Sequence, residues 1–355
     1  MSMYWIGGYT ASGDGAATGI AAVATEPDGL LGDSWDVVEA DSPSWLTAHP
    51  QLPMVYAALE MTGQVQEFSS DGEEGLRPCG DPVPAGDIVC QLTFVPEYSA
   101  LLAACYGDGK LIRYDVDAEG GLGQSAVGEP GLDPYSPERP RQSRAHSSVY
   151  LGDGRVASAD LGHDTIRFWR LDDQVGLLDD GAVVLPEGSG PRHLALHPDG
   201  RLFVVTEYSC EVITLSPDAD PDGDAEGVAE AGGGYAITSR VSLLEDTAES
   251  AGREPDAAAE LCLSEDNSKL YAGVRSANLI VTLSVDQEPA VLSRVSSGGD
   301  WPRHHLPTTL GDRRVLLVAN QRSGDIAVLP RDADGLPGES VQRVPAGSPA
   351  CLLPS

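Results

Sequence analysis

The stretch "GPRHLALHPDGRLFVVTEYS", residues 190–209, decides how the chain folds. PRHLAL alternates apolar and polar side chains, HPDG is a turn, and RLFVVT is an apolar, β-branched run. A period of two, a turn and a second apolar run make a β-hairpin pattern, not a helical one. Asp199-Gly200 supplies the turn, because glycine accepts backbone angles that a side chain disfavours. In an antiparallel pair, the start of the first strand and the end of the second lie at the same edge. Arg192 and Glu207 are therefore expected to meet on one rim.

The same pattern recurs six times, in residues 43–69, 89–116, 144–171, 191–216, 258–285 and 302–329. Each unit reads as strand, turn, strand, short turn, strand, and Asp153-Gly154 repeats the turn chemistry of Asp199-Gly200. The ends supply a seventh unit. "SPACLLPS" at 348–355 matches the first strand in "SPSWLTAHP" at 42–50, while "MYWIGGYT" at 3–10 and "GIAAVAT" at 19–25 match the next two. An all-β, seven-bladed β-propeller closed by pairing of the N- and C-terminal strands follows, since closure removes the open sheet edge. No blade buries both of its apolar faces alone, so residues 1–355 read as one domain.

Composition narrows the function. The 22 basic and 55 acidic residues give a formal charge of −33, which argues against nucleic acid and anionic membrane as partners. The start, "MSMYWIGGYTASG", lacks the basic and apolar segments of a secretory signal, and no apolar run reaches membrane-spanning length. Six scattered cysteines without a CxxC pair read as reduced structural residues, and a cytoplasmic location is expected. "GGYTASGDG" lacks the glycine spacing of a dinucleotide or phosphate loop, so no cofactor is expected. "DADPDGDAEGVAEAGGG" at 218–234 reads as an exposed loop.

Register gathers the candidate site. His146 falls at the repeat position of Arg192, and Arg275 at that of Glu207. Tyr9, Glu60, Tyr106, Asp160 and Gln321 are placed near second-strand ends, with Arg144 and Arg303 close to first-strand starts. Three basic residues converging on carboxylates in an acid-rich chain point to a site for an anion. Alternation turns His193 away from the direction of Arg192, which leaves it a substrate-binding candidate rather than the base. His49 and His197 read as turn residues, His163 as exposed, and Trp45, Trp169 and Trp301 as packing residues, Trp301 with the option of walling a pocket. The histidines form no compact metal motif. Neighbouring arginines would also oppose a cation held by Glu60, Asp160, Glu207 and His146, so no metal is expected.

A near-neutral imidazole beside arginines suits opening of a cyclic ester by water, with no serine nucleophile. Through "PSWLTAHP", "RAHSSVYLGDGR", "GPRHLALHPDGRLFVVTE", "LYAGVRSANLI", "LLVANQRSGDIAVL" and "PACLLP", the chain resembles the lactonase family with a seven-bladed β-propeller fold. That family includes proteins resembling 6-phosphogluconolactonase and fungal enzymes that cyclise cis,cis-muconates. The resemblance implies active roles for His146, Arg192, Glu207 and Arg275. The chain departs from the family's HxH, NE and NR patterns in Arg144-Ala145-His146, Thr206-Glu207 and Val274-Arg275. A lactone hydrolase acting on a small anionic lactone is the expected function. A muconate-like carboxylate cycloisomerase and a non-catalytic binding scaffold are the alternatives, because the same arginines suit phosphate or carboxylate.

Overall fold

The deciding stretch folds as the expected hairpin. Pro191–Leu196 pairs antiparallel with Leu202–Thr206, bringing Pro191 opposite Thr206 at one end. In the computed structural model the described residues are 2–71, 75–172, 176–217, 231–245, 254–286 and 288–355. They form seven antiparallel sheets. The innermost strands are Pro43–Ala48, Val89–Val95, Ala145–Gly152, Pro191–Leu196, Ala257–Leu263 and Pro302–Leu310 in the first to sixth blades, and Pro349–Pro354 in the closing blade. The most of the predicted exposed loop, residues 218–230, lies outside the described residues.

Closure takes the predicted form. Pro349–Pro354 pairs with Met3–Gly8, with Tyr4 opposite Pro354 and Gly8 opposite Pro349. Gly19–Ala24 and Trp35–Glu39 complete that sheet. Most units carry an outer strand beyond the three read from the repeat, such as Leu122–Val127 and Gln342–Pro345. The turn at Asp153 (φ 50°) and Gly154 (φ 72°) adopts two successive left-handed residues, the geometry that twists a tight hairpin correctly.

The apolar core lies between blades. Leu101 and Ala103 pack with Tyr56 and Ala58 across one interface, and Phe203 and Val205 with Leu270 and Ala272 across another. Leu352 joins a cluster with Leu317 and Val328, while Cys351 joins one with Leu46 and Val55. The terminal strand thus serves both of its neighbours. All six cysteines are free.

Candidate active site

Each inner strand carries an irregularity at the same level. Its register against the second strand slips just after the first paired residue, or, in Ala257–Leu263, after the second. The extra residues are Ser44, Cys90, His146, Arg192, Arg303 and Ala350, and in Ala257–Leu263 both Ala259 and Glu260 stand unpaired opposite Gly273. A bulge re-aims side chains that strict alternation would send to opposite faces. His146, Arg192 and Arg303 accordingly line one axial cavity with Tyr9, Glu60 and Trp45.

This bulge corrects the expectation for His193, which alternation was to turn away from Arg192. Both residues line the same cavity, and the His193 and His146 ring centroids are 5.3 Å apart. Ser147 keeps out of the chemistry: its Oγ donates to the Arg192 carbonyl at 2.6 Å.

Glu207 joins the arginines. Its Oε2 lies 3.0 Å from Arg192 Nε and 2.8 Å from Arg275 Nη2. Burial alone would raise this carboxyl, but Arg275 and then Arg192 outweigh it and hold it below its ordinary range. Arg275 is further tied by donating to the Ala257 and Ala258 carbonyls at 3.3 and 3.1 Å. Arg192 is freer. It is 2% exposed, and its Nη1 has no hydrogen-bond partner among the described residues. Burial, followed by repulsion from Arg275, presses its pKa down to about 10, so it remains a cation at neutral pH.

Arg303 donates to the Tyr9 hydroxyl and, at 3.4 Å, to Gln321 Oε1. Tyr9 in turn donates to Glu60 Oε2 at 2.6 Å. His146 is buried, its Nδ1 has no hydrogen-bond partner among the described residues, and burial, then Arg192, hold it well below the usual imidazole range. The imidazole is therefore neutral at pH 7. The cavity among these groups measures about 10 Å³ in the space open to the centre of a water-sized sphere, roughly the room one water needs. Larger clefts, of about 430 and 660 Å³, lie by Lys269 and Arg331 and by Trp35 and Arg322, away from this cluster.

Three candidates sit elsewhere. Arg144 stacks over the Tyr106 ring, 4.5 Å to its centroid, beside His146, whose ring centroid is 5.7 Å from that of Tyr106. Asp160 is off the cavity. It pairs with Ala145, one residue short of the Glu207 position, which Leu161 occupies. Its carboxylate instead accepts from the backbone N–H groups of Arg144, Gly162 and His163 and from the Ser143 hydroxyl. His163, expected to be exposed, is buried: it lies 3.3 Å from Asp160 and its Nε2 meets the Arg141 carbonyl at 2.9 Å. Arg141 pairs with Asp133 and Asp164. His49 takes the expected turn role, its Nδ1 accepting from the N–H groups of Gln51 and Leu52.

Sequence reading missed the layer beneath. Glu260 Oε2 lies 2.9 Å from His193 Nδ1 and 3.8 Å from His304 Nε2. Trp45, expected to be packing alone, stands edge-on to both imidazoles, at 5.4 and 5.5 Å. The signal was the repeat register, which puts Glu260 at the His193 position of the next blade. Among the described residues, no group of three or more His, Cys, Asp or Glu is arranged to hold a metal ion.

The buried imidazoles carry a testable consequence. Burial lowers the pKa of His146, His193 and His304, and that of His305 to about 4. Unfolding returns each toward its ordinary value near 6.5. Below that value the unfolded chain binds more protons, so stability falls with pH until the folded pKa is passed. His305 alone should cost roughly 2 kcal/mol between pH 7.5 and pH 5. Carboxylates with lowered pKa, such as Glu207, lose their contribution only at lower pH. A melting temperature that does not fall over pH 7.5 to 5 contradicts this account.

Fold and cluster together define the class: a closed β-propeller with ionisable residues gathered at one end of its axis. The chain belongs to the lactonase, 7-bladed beta-propeller family, whose model matches residues 3–354. It is 26% identical over 306 residues to a 6-phosphogluconolactonase of Bacillus subtilis, covering 82% of this chain and 81% of that protein. A 6-phosphogluconolactonase of Formosa agariphila is 23% identical, with 82% of each covered. Among solved structures, the periplasmic gluconolactonase PpgL of Pseudomonas aeruginosa superposes with a TM-score of 0.84 at 24% identity, over 99% of this chain and 98% of that one.

Proposed function

We propose that the protein hydrolyses a small anionic lactone, with a phosphorylated sugar lactone of the 6-phosphogluconolactone type as first candidate, by attack of water at the ester carbonyl. The carrying observation is that two residues lining one cavity each hold an unsatisfied buried group: Arg192 its donor Nη1, and His146 its Nδ1. Family membership and the 6-phosphogluconolactonase relatives support this reading.

The cavity has room for about one water, so the lactone ring is placed at the open mouth above it. The substrate anion docks against Arg192 and Arg303, with Arg144 over Tyr106 as an outer contact. That charge offsets the positive field which, after burial, weakens His146. The base therefore strengthens when substrate is bound. His146 takes a proton as the water oxygen bonds to the carbonyl carbon. Arg192 Nη1 stabilises the oxyanion, and Glu207, ionised between its arginines, orients Arg192. Collapse breaks the ring C–O bond, and the imidazolium returns its proton to the leaving alkoxide, giving the hydroxy acid.

The test is a product-resolved screen of phosphorylated sugar lactones, dicarboxylic lactones and muconate-like acids in ¹⁸O water. Hydrolysis should place one label in the new carboxylate, and His146→Ala should lose about 100-fold or more in kcat. Inertness toward every lactone, or conversion of an unsaturated acid into a lactone without label, overturns the proposal.

A further inference from the structure

Glu260 is a buried carboxylate that the proposed chemistry does not use. It is 6% exposed, and among the described residues its Oε2 has no hydrogen-bond donor near it beyond the imidazoles of His193 and His304. An ion in such a place costs several kcal/mol unless its neighbours compensate, and an apolar residue of similar volume would pack as well. The site therefore asks for a role. His304 Nδ1 accepts from the Leu352 N–H at 3.4 Å, which leaves its Nε2 as the protonated nitrogen facing Glu260. His193 presents Nδ1 to the same carboxylate oxygen, and its Nε2 has no hydrogen-bond partner among the described residues. Trp45 holds both ring planes, its own N–H anchored on the Leu92 carbonyl at 3.1 Å.

We infer that Glu260 is a positioning residue: it fixes His193 as the Nδ1–H tautomer, so that His193 Nε2 joins His146 in holding the attacking water. This rests on the hydrolytic reading. The cavity that both imidazoles line has space for about one water, which needs two to four polar partners to be held. Two acceptors at that water fix its hydrogens and aim a lone pair outward, toward the mouth. In the step itself one O–H proton passes to His146 and the oxygen bonds to the carbonyl carbon. His193 keeps its proton throughout.

Two substitutions in the full-length protein test this. Glu260→Leu removes the acceptor, whereas Glu260→Gln keeps a carbonyl oxygen that can receive the Nδ1–H. The ¹⁵N spectrum of His193, assigned with His193→Gln, should show the Nδ1–H tautomer in the wild type and in Glu260→Gln, and a mixture in Glu260→Leu. With a lactone substrate, Glu260→Leu should lose about 100-fold in kcat with KM changed less than about threefold, and Glu260→Gln should recover to within about tenfold. An Nε2–H tautomer in the wild type, full kcat in Glu260→Leu, or a loss carried by KM alone overturns the role of Glu260. Absence of lactone hydrolysis in the wild type overturns the hydrolytic reading instead, because the tautomer is read in the free protein.

Discussion

Deletion of residues 348–355 is expected to abolish the cooperative melting transition. The segment contains the inner strand of the closing blade, paired from Tyr4–Pro354 to Gly8–Pro349. Its loss removes Leu352 from the cluster shared with the sixth blade and Cys351 from that shared with the first. Truncating a buried leucine alone costs about 2–5 kcal/mol. Each backbone hydrogen bond forfeited along Met3–Gly8 adds about 1 kcal/mol, and the newly exposed edge cannot find another strand. The sum is comparable with the whole stability of an ordinary domain, about 5–15 kcal/mol. A circular permutant that joins Ser355 to Ser2 and opens the chain between two other blades should keep the transition, since Ser355 N–H already meets the Met3 carbonyl at 3.0 Å. A deletion variant melting within about 3 °C of wild type would show that the ring does not depend on this closure.

The architecture was legible because one hairpin pattern repeats with its turn chemistry, and because the termini complete it. The outer strands were less so. Leu122–Val127 is largely exposed and follows no strict alternation, so nothing in its composition separates it from a loop. Placement of Arg192, Glu207, His146 and Arg275 needed only strand order and register. Bulges were the obstacle. A bulge belongs to the pairing between two strands, and a period-two reading of one strand passes over it. That is why His193 was turned away from the cavity it lines, and why Glu260, in the equivalent position one blade on, went unnoticed. Asp160 failed for a smaller reason: a slip of one residue at a strand end moves a side chain from the mouth into a turn.

Arg192 carries the largest expected effect on activity, and substitution should separate function from stability. Burial, then Arg275, depresses its pKa to about 10. A folded-state pKa below the unfolded one means that folding disfavours the charged guanidinium. Arg192→Met keeps much of the volume and removes that cost, while Glu207 retains Arg275 at 2.8 Å. The variant should melt no lower than wild type. On the proposed mechanism its kcat/KM for the lactone should nonetheless fall about 10³-fold, because the buried donor assigned to the oxyanion is gone. Arg192→Lys should not rescue it. A single ammonium nitrogen can take the place of Nε, 3.0 Å from Glu207, or that of Nη1, but not both. Near-normal turnover in Arg192→Lys would reduce Arg192 to a point charge, and a large drop in melting temperature for Arg192→Met would make it a structural partner of Glu207. The predicted pair of results, stability kept and turnover lost, is what a strained cation retained for catalysis should give.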